Sequence, residues 1–439
     1  MAEHIVDAAL SSADAAHETR FYLGDQYVVF NYDADRVRDG VHPVAGLGLG
    51  SPFSPDGVGQ SFDAALAGRK QFGGTGYHFR GLQYARFDLD ALTGDPSLSD
   101  LAGWRLPAPV SQGVEAAFNG RAPTRDGKTY FFRGGQYARY DWGQDKPDDG
   151  YPKPISTMIG MPAFFAAGVD AAADGEGAFT TAGYLFREDQ YVRFDWTADA
   201  NGEPHASGGV RPILESWRGL VELLFAGKAK TQAQAWTKAA FEQTTNYLEL
   251  LAGTAPFRFN QSVFDTALAT HFHVAATAPT SEKATTVSRM QAGFSGVSTT
   301  LKESPARFRY RTDSEAVSLD HSDSPPAAAY VTPDGMISFT TAFARRGPMN
   351  RAASVLHEAV HVFDPESGKP TTHIPEWYVT DAAADALGLG HEPNHADLAT
   401  RYDLMSTADA LHNPSAYAAF AQHVAIGSDT RFGEGHHDQ

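Results

Sequence analysis

Four copies of one aromatic motif, evenly spaced through the first half of the chain, restrict its architecture more than any other feature. The copies are Tyr22-Leu23-Gly24-Asp25-Gln26-Tyr27-Val28-Val29-Phe30, Phe79-Arg80-Gly81-Leu82-Gln83-Tyr84-Ala85-Arg86-Phe87, Phe132-Arg133-Gly134-Gly135-Gln136-Tyr137-Ala138-Arg139-Tyr140 and Phe186-Arg187-Glu188-Asp189-Gln190-Tyr191-Val192-Arg193-Phe194. Their central tyrosines lie 57, 53 and 54 residues apart. A second element precedes each copy: Val6-Asp7-Ala8-Ala9, Phe62-Asp63-Ala64-Ala65, Val114-Glu115-Ala116-Ala117 and Val169-Asp170-Ala171-Ala172. Two linked motifs recurring in step mark a repeat architecture. Each unit reads as a short strand, a turn with glycine or aspartate, and an aromatic-rich strand. A four-stranded sheet of this kind cannot cover its own faces. Neighbouring units must therefore pack around a common axis, which predicts an all-β four-bladed β-propeller with the small Ala-Ala pairs on the crowded innermost strands.

Over about residues 4–220 these motifs, with the tyrosine-centred hairpin and the Asp/Glu-Ala-Ala blade starts, resemble the hemopexin-like propeller. The chain departs from many members of that group in having no cysteine, so no disulfide ties the first blade to the last, and closure is expected to rest on packing between blades one and four. The resemblance implies a structural calcium or sodium ion in the channel near Asp7, Asp63, Glu115 and Asp170, and a protein or glycan as propeller ligand. The family name suggests haem, yet His4, His17, His42, His78 and His205 show no paired spacing suited to axial ligation.

The 439 residues allow a second domain. A net charge of −18 disfavours nucleic acid and anionic membrane surfaces, which reward lysine and arginine. No stretch approaches the roughly 20 apolar residues of a membrane span. Met1-Ala2-Glu3-His4 opens no signal peptide. The expectation is a soluble protein, cytoplasmic or exported by a route without a cleaved Sec signal, as a toxin or effector would be.

From Trp217 the repeats cease and helical periodicity begins with Leu220, Val221, Leu223, Leu224 and Phe225. The boundary near 215–230 divides a propeller, 1–220, from a mainly α (α+β) domain, 221–439. Segment 278–305, rich in Ser, Thr and Lys, reads as exposed helix and loop. Ala327–Val331 and Met336–Phe343 flank Thr332-Pro333-Asp334-Gly335 and predict a hairpin, with an exposed strand that could pair with an extended substrate.

Next comes His357-Glu358-Ala359-Val360-His361, an HExxH match. Ala352, Val355, Leu356, Ala359, Val360 and Phe363 recur at helical spacing and predict an amphipathic helix ending before Pro365. On a helix, His357 and His361 share one face and supply two imidazoles to Zn²⁺, leaving Glu358 as general base toward a bound water. A second match, His391-Glu392-Pro393-Asn394-His395, carries an interior proline and reads as a loop. The bland alternative for the first match is a core helix with hydrogen-bonded histidines. For the third ligand, Glu376 stands 15 residues beyond His361, after a proline suited to opening a helix; Asp381 and His373 are the alternatives.

Residues 325–425, including His412-Asn413-Pro414-Ser415-Ala416-Tyr417, resemble the deuterolysin and lysine-specific metalloendopeptidase group, a zincin-like fold. That group takes its third ligand from a Gly-Thr-x-x-Asp motif absent here, and Thr372 and Glu376 fall roughly at its place. The resemblance implies a tyrosine steadying the oxyanion, with Tyr402 the first candidate and Tyr378 and Tyr417 behind it. The whole reads as a zinc endopeptidase whose propeller holds a substrate or partner. The alternative is a non-catalytic hemopexin-like protein that binds a protein, glycan or haem ligand.

Overall fold

The computed structural model describes residues 3–11, 16–49, 62–121, 125–197, 204–254, 256, 259–320, 328–364 and 405–429. The chain forms two compact units, Met1–Leu224 and Phe225–Gln439.

The first unit holds four antiparallel sheets. Sheet one has β1 (Ala8–Ser11), β2 (Glu18–Leu23), β3 (Gln26–Asn31) and β4 (Arg36–Val37) in order, with β5 (His42–Pro43) also on β3. Sheet two runs β6 (Ala64–Ala67), β7 (Thr75–Arg80), β8 (Gln83–Asp88) and β9 (Thr93–Asp100). Sheet three runs β10 (Ala116–Asn119), β11 (Lys128–Arg133), β12 (Gln136–Asp141) and β13 (Lys146–Pro147), with β14 (Lys153–Pro154) also on β12. Sheet four runs β15 (Ala171–Asp174), β16 (Ala182–Arg187), β17 (Gln190–Asp195) and β18 (His205–Pro212). The Ala-Ala strands β1, β6, β10 and β15 touch in a closed cycle, each against the next and β15 against β1. This arrangement is consistent with a hemopexin-type β-propeller. Alanine suits the cycle because a larger side chain would hold the strands apart; Ala8, Ala64, Ala116 and Ala171 are all buried.

Each motif folds as a hairpin with a two-residue loop, and its aromatic residues face each other across it: Tyr22 with Tyr27, Phe79 with Tyr84, Phe132 with Tyr137 and Phe186 with Tyr191. The first loop residue has positive φ at Gly24, Gly81, Gly134 and Glu188, which favours glycine and leaves Glu188 in the strained left-handed region. After its outer strands each blade adds a helical turn that wedges toward the next blade: Val44–Leu47, Leu101–Trp104, Ile155–Thr157 and Ile213–Ser216. These turns deliver Leu47, Trp104, Met158 and Trp217 into buried positions.

Closure between blades four and one uses more than the expected packing. Trp217 lies 5.3 Å from Phe21 and 4.9 Å from Phe30 in blade one, and 4.9 Å from Tyr184 and 5.2 Å from Phe186 in blade four, ring centre to ring centre. A polar network joins the carboxyl ends of the inner strands. Asp174, only 4% exposed, accepts from Asn119 N at 2.7 Å, Asn119 Nδ2 at 2.9 Å and Arg69 at 3.0 Å. Its carbonyl accepts from Ser11 Oγ at 2.9 Å and from the Tyr32 hydroxyl at 3.0 Å. Asn119 Nδ2 also donates to Ala67 O at 3.0 Å, so all four blades meet here. At the opposite ends of the inner strands, His4 bridges Asp7 at 2.6 Å and Asp170 at 3.2 Å.

The second unit is mainly helical, with Leu220–Leu251 crossing the boundary and then Gln261–Phe272, Thr280–Glu303, Asp313–Asp320, Pro348–Phe363 and Pro414–Ile426. A small sheet of β19 (Phe308–Tyr310), β20 (Ala329–Val331) and β21 (Ile337–Phe339) has the order β19-β21-β20. The expected hairpin is there, but its second strand ends at Phe339. Thr341–Ala344 turns helical, and Phe343 packs on Phe339 at 4.6 Å. Within segment 278–305, Thr280–Glu303 is one continuous helix that has a buried face as well as the expected exposed one. Its small residues are the reason: Gly293 lies against Tyr417 and Gly296 against the ring of Phe363, both too close to admit a Cβ. Among the described residues no helix is long and apolar enough to cross a membrane.

Candidate functional site

The HExxH segment lies on the helix Pro348–Phe363, which starts with Pro348 at its first turn, where proline's missing N–H costs nothing. One face is buried through Ala352, Val355, Leu356, Ala359 and Val360, and the helix packs against Thr280–Glu303, Pro414–Ile426 and the edge strand β20. Four residues apart on one face, His357 and His361 bring their Nε2 atoms to 3.2 Å, with ring centres 4.9 Å apart. Two nitrogens on a tetrahedral zinc at the usual bond length stand about 3.3 Å apart, so the pair fits a shared metal. His357 Nδ1 lies 3.2 Å from Ser415 Oγ; with Nδ1 as the donor of that contact, the Nε2 lone pair of a neutral His357 would face His361. Glu358 is 6% exposed. Nearby Arg346 is pushed below its usual range by burial while the Glu358 charge works the other way.

Ser415 was not singled out by sequence reasoning, although its neighbours were. Asn413 caps the helix Pro414–Ile426, its Oδ1 accepting from Ala416 N at 3.0 Å. Pro414 occupies the first turn and Ser415 is thereby aimed at His357. The legible signal was the Asn-Pro-Ser sequence, an N-cap pattern. Tyr417 takes a packing position. It is buried among Phe272 and Phe294, and its hydroxyl donates to Leu411 O at 3.1 Å. Glu376, Asp381, His373, Tyr402 and Tyr378 lie outside the described residues, as does the second HExxH match. Among the described residues no group of three or more potential ligands could hold a metal ion.

In the propeller, the blade-start carboxylates perform a role the sequence did not reveal. Each accepts from the first amide of its own blade's hairpin loop: Asp7 from Gly24 at 2.7 Å, Asp63 from Gly81 at 2.6 Å, Glu115 from Gly134 at 2.6 Å and Asp170 from Glu188 at 2.6 Å. Burial opposes ionisation of Asp170, but hydrogen bonds from His4 and Glu188 hold it below the usual carboxylate range. Hydrogen bonds to Asp170 and Asp7 in turn raise His4 to about 9. His78 is buried against the Tyr22 hydroxyl at 3.0 Å, and burial lowers it to about 3.

A hemopexin family model matches residues 114–162, which lie in the third repeat. Albumin-2 of Lathyrus sativus is 28% identical over 237 residues, covering 50% of this chain and 97% of that protein. Matrix metalloproteinase-25 of Homo sapiens is 42% identical over 57 residues, 13% of this chain and 10% of that protein, about one repeat. Among solved structures, the hemopexin fold protein CP4 from cow pea covers 49% of this chain and 96% of its own at 21% identity, with a TM-score of 0.41. The N-terminal half carries a hemopexin domain.

Proposed function

We propose that the chain works first as a binding protein, its hemopexin-type propeller holding a protein or glycan ligand without chemistry of its own. The observation that carries this reading is self-sufficiency. The ring of inner strands, the Trp217 wedge and the Asp174 network close the propeller from its own residues, and a relative made almost wholly of such a domain, Albumin-2, covers only half of this chain. Propeller carboxylates are occupied with loop amides, which suits a scaffold. The test is binding of the full chain to arrays of immobilised glycans and of extracellular and plasma proteins, beside the double variant His357→Ala, His361→Ala. Retained binding by both supports the reading, and no ligand on either array overturns it.

One observation favours a second reading, a zinc endopeptidase in the helical unit: the Nε2 atoms of His357 and His361, 3.2 Å apart, with His357 oriented by Ser415. His357 and His361 would hold zinc together with a third ligand, for which Glu376 is the candidate and Asp381 or His373 the alternatives. Bound zinc lowers the pKa of a water and polarises a carbonyl. Glu358 would take the proton of that water and return it to the leaving amine. The strand β20, at the edge of the sheet among the described residues and beside this helix, would pair with an extended peptide. Tyr402 would steady the oxyanion. Elemental mass spectrometry of the wild type, Glu376→Ala and Glu358→Gln tests this: one zinc per chain in the wild type and in Glu358→Gln, little in Glu376→Ala, and peptide cleavage by the wild type alone. Absence of zinc after reconstitution sinks it. A calcium or sodium ion at the propeller channel is a separate proposal, checked by the same elemental analysis.

A further inference from the structure

The seam between blades four and one opens into a cavity of about 470 Å³, within the range of small-molecule sites. Two features of the sequence lie at it. Five residues beyond the motif tyrosine, blades three and four carry Trp142 and Trp196, which fill the seams toward blades two and three. Blade one carries Tyr32 there, a smaller ring whose hydroxyl is committed to Asp174 O. The outer strand β18 also breaks register: Val192 pairs with Val210 but Arg193 pairs with Ser207, so Gly208 and Gly209 bulge out with φ of 75° and 70°. A bulge of this kind turns adjoining side chains toward a site.

The lining includes aromatic rings, Tyr184, Tyr191 and Trp217 among them, with charged groups of both signs. Arg193 and Arg211 supply planar donors, Asp35 and Asp195 supply acceptors, and Ser207 supplies a hydroxyl. Asp195 is fixed in place, accepting from Arg193 Nε at 2.8 Å and from Ser207 Oγ. Two guanidiniums and two carboxylates balance, so the cavity has no preference for an ion. A hydroxyl group both donates and accepts, and adjacent hydroxyls on a ring match alternating carboxylate and guanidinium partners over an apolar floor. The charge of −18 on the chain works against acidic polymers.

We propose that the blade four to blade one seam is a binding site for a neutral saccharide of one or two rings. This deepens the binding-protein reading and rests on it. The test uses the full chain with lactose, maltose, cellobiose and diacetylchitobiose, by saturation-transfer NMR and calorimetry, beside Arg211→Ala and Asp35→Ala. Both side chains are exposed, so both variants are expected to fold. Binding of at least one disaccharide, weakened about tenfold or more by each substitution, is the expected result; tenfold corresponds to the loss of a hydrogen bond to a charged group. Sugar binding unchanged in both variants overturns the site but leaves the binding-protein reading standing. No disaccharide bound, with a defined protein still captured on the array, overturns the saccharide class and again spares that reading. Neither sugar nor protein bound overturns both.

Discussion

The two halves of the molecule reach a packed core by different routes. In the propeller the same contacts recur four times: a hairpin amide on a blade-start carboxylate, an aromatic pair across the loop, and a helical-turn wedge into the next seam. The places that close the ring depart from the pattern, with Asp174 and Asn119 where blades one and two have Ser11 and Ala67, and with Trp217 at the last seam. Among its described residues the helical unit shows no repeat. Its contacts are single: Gly293 under Tyr417, Gly296 under Phe363, Ser415 against His357. Repetition spreads a blade's stability over equivalent contacts, while closure and the histidine site each depend on residues without a duplicate.

That contrast is open to attack by substitution. Asp174→Ala should have the largest effect, about 3 kcal/mol, because it leaves the mostly covered Arg69 guanidinium without its carboxylate and Arg121 with Glu176 alone. Chemical denaturation followed by tryptophan fluorescence measures it, and a loss below about 1 kcal/mol would mean that closure rests on apolar packing after all. Gly293→Leu in the helical unit should cost about 1–3 kcal/mol by overpacking against Tyr417; thermal unfolding near the wild-type midpoint would show that the helix can move away. If the zinc reading holds, Ser415→Ala is expected to weaken zinc binding by about 10–100-fold, as loss of an orienting contact does, with unfolding of the metal-free protein little changed. Equal zinc affinity in a competitive chelator titration would reduce Ser415 to an ordinary packing contact.

The smallest effect concerns His4. Its folded pKa is raised to about 9 by Asp170 and Asp7, so its contribution is fully present below the ordinary histidine value of about 6.5 and is lost as pH rises through about 9. The side chain is 45% exposed, and solvent screening limits the contribution to roughly 0.5–1 kcal/mol. His4→Gln should therefore lower the unfolding midpoint at pH 6 and converge on the wild type above pH 9. A difference that persists at high pH would assign His4 a packing role instead of an ionic one.

Much of this was legible from residue order. The period and the paired motifs located the tyrosine-centred hairpin and the inner strand of each blade, because an alternating pattern repeated four times leaves few ways to bury its aromatic faces. The helix carrying His357 and His361 was legible for a similar reason, an apolar stripe at helical spacing ended by Asp364-Pro365. The blade-start carboxylates were visible as a pattern, but their partners were not, since an amide 17 to 19 residues away is chosen by the fold of the hairpin. The helix Thr280–Glu303 was legible with its exposed residues, but its buried face was not, because composition records polarity and not which small residues lie under a neighbour's ring.

Local chemistry thus set the blades, the loops and the face on which two imidazoles stand, since periodicity and turn conformation act over a few residues. Assembly alone settled how blade four meets blade one, that a cavity lined by Tyr32 lies there, and that Ser415 stands against His357. Those outcomes depend on residues 58 to 166 positions apart, and contacts at that separation are fixed by packing, which no local pattern encodes.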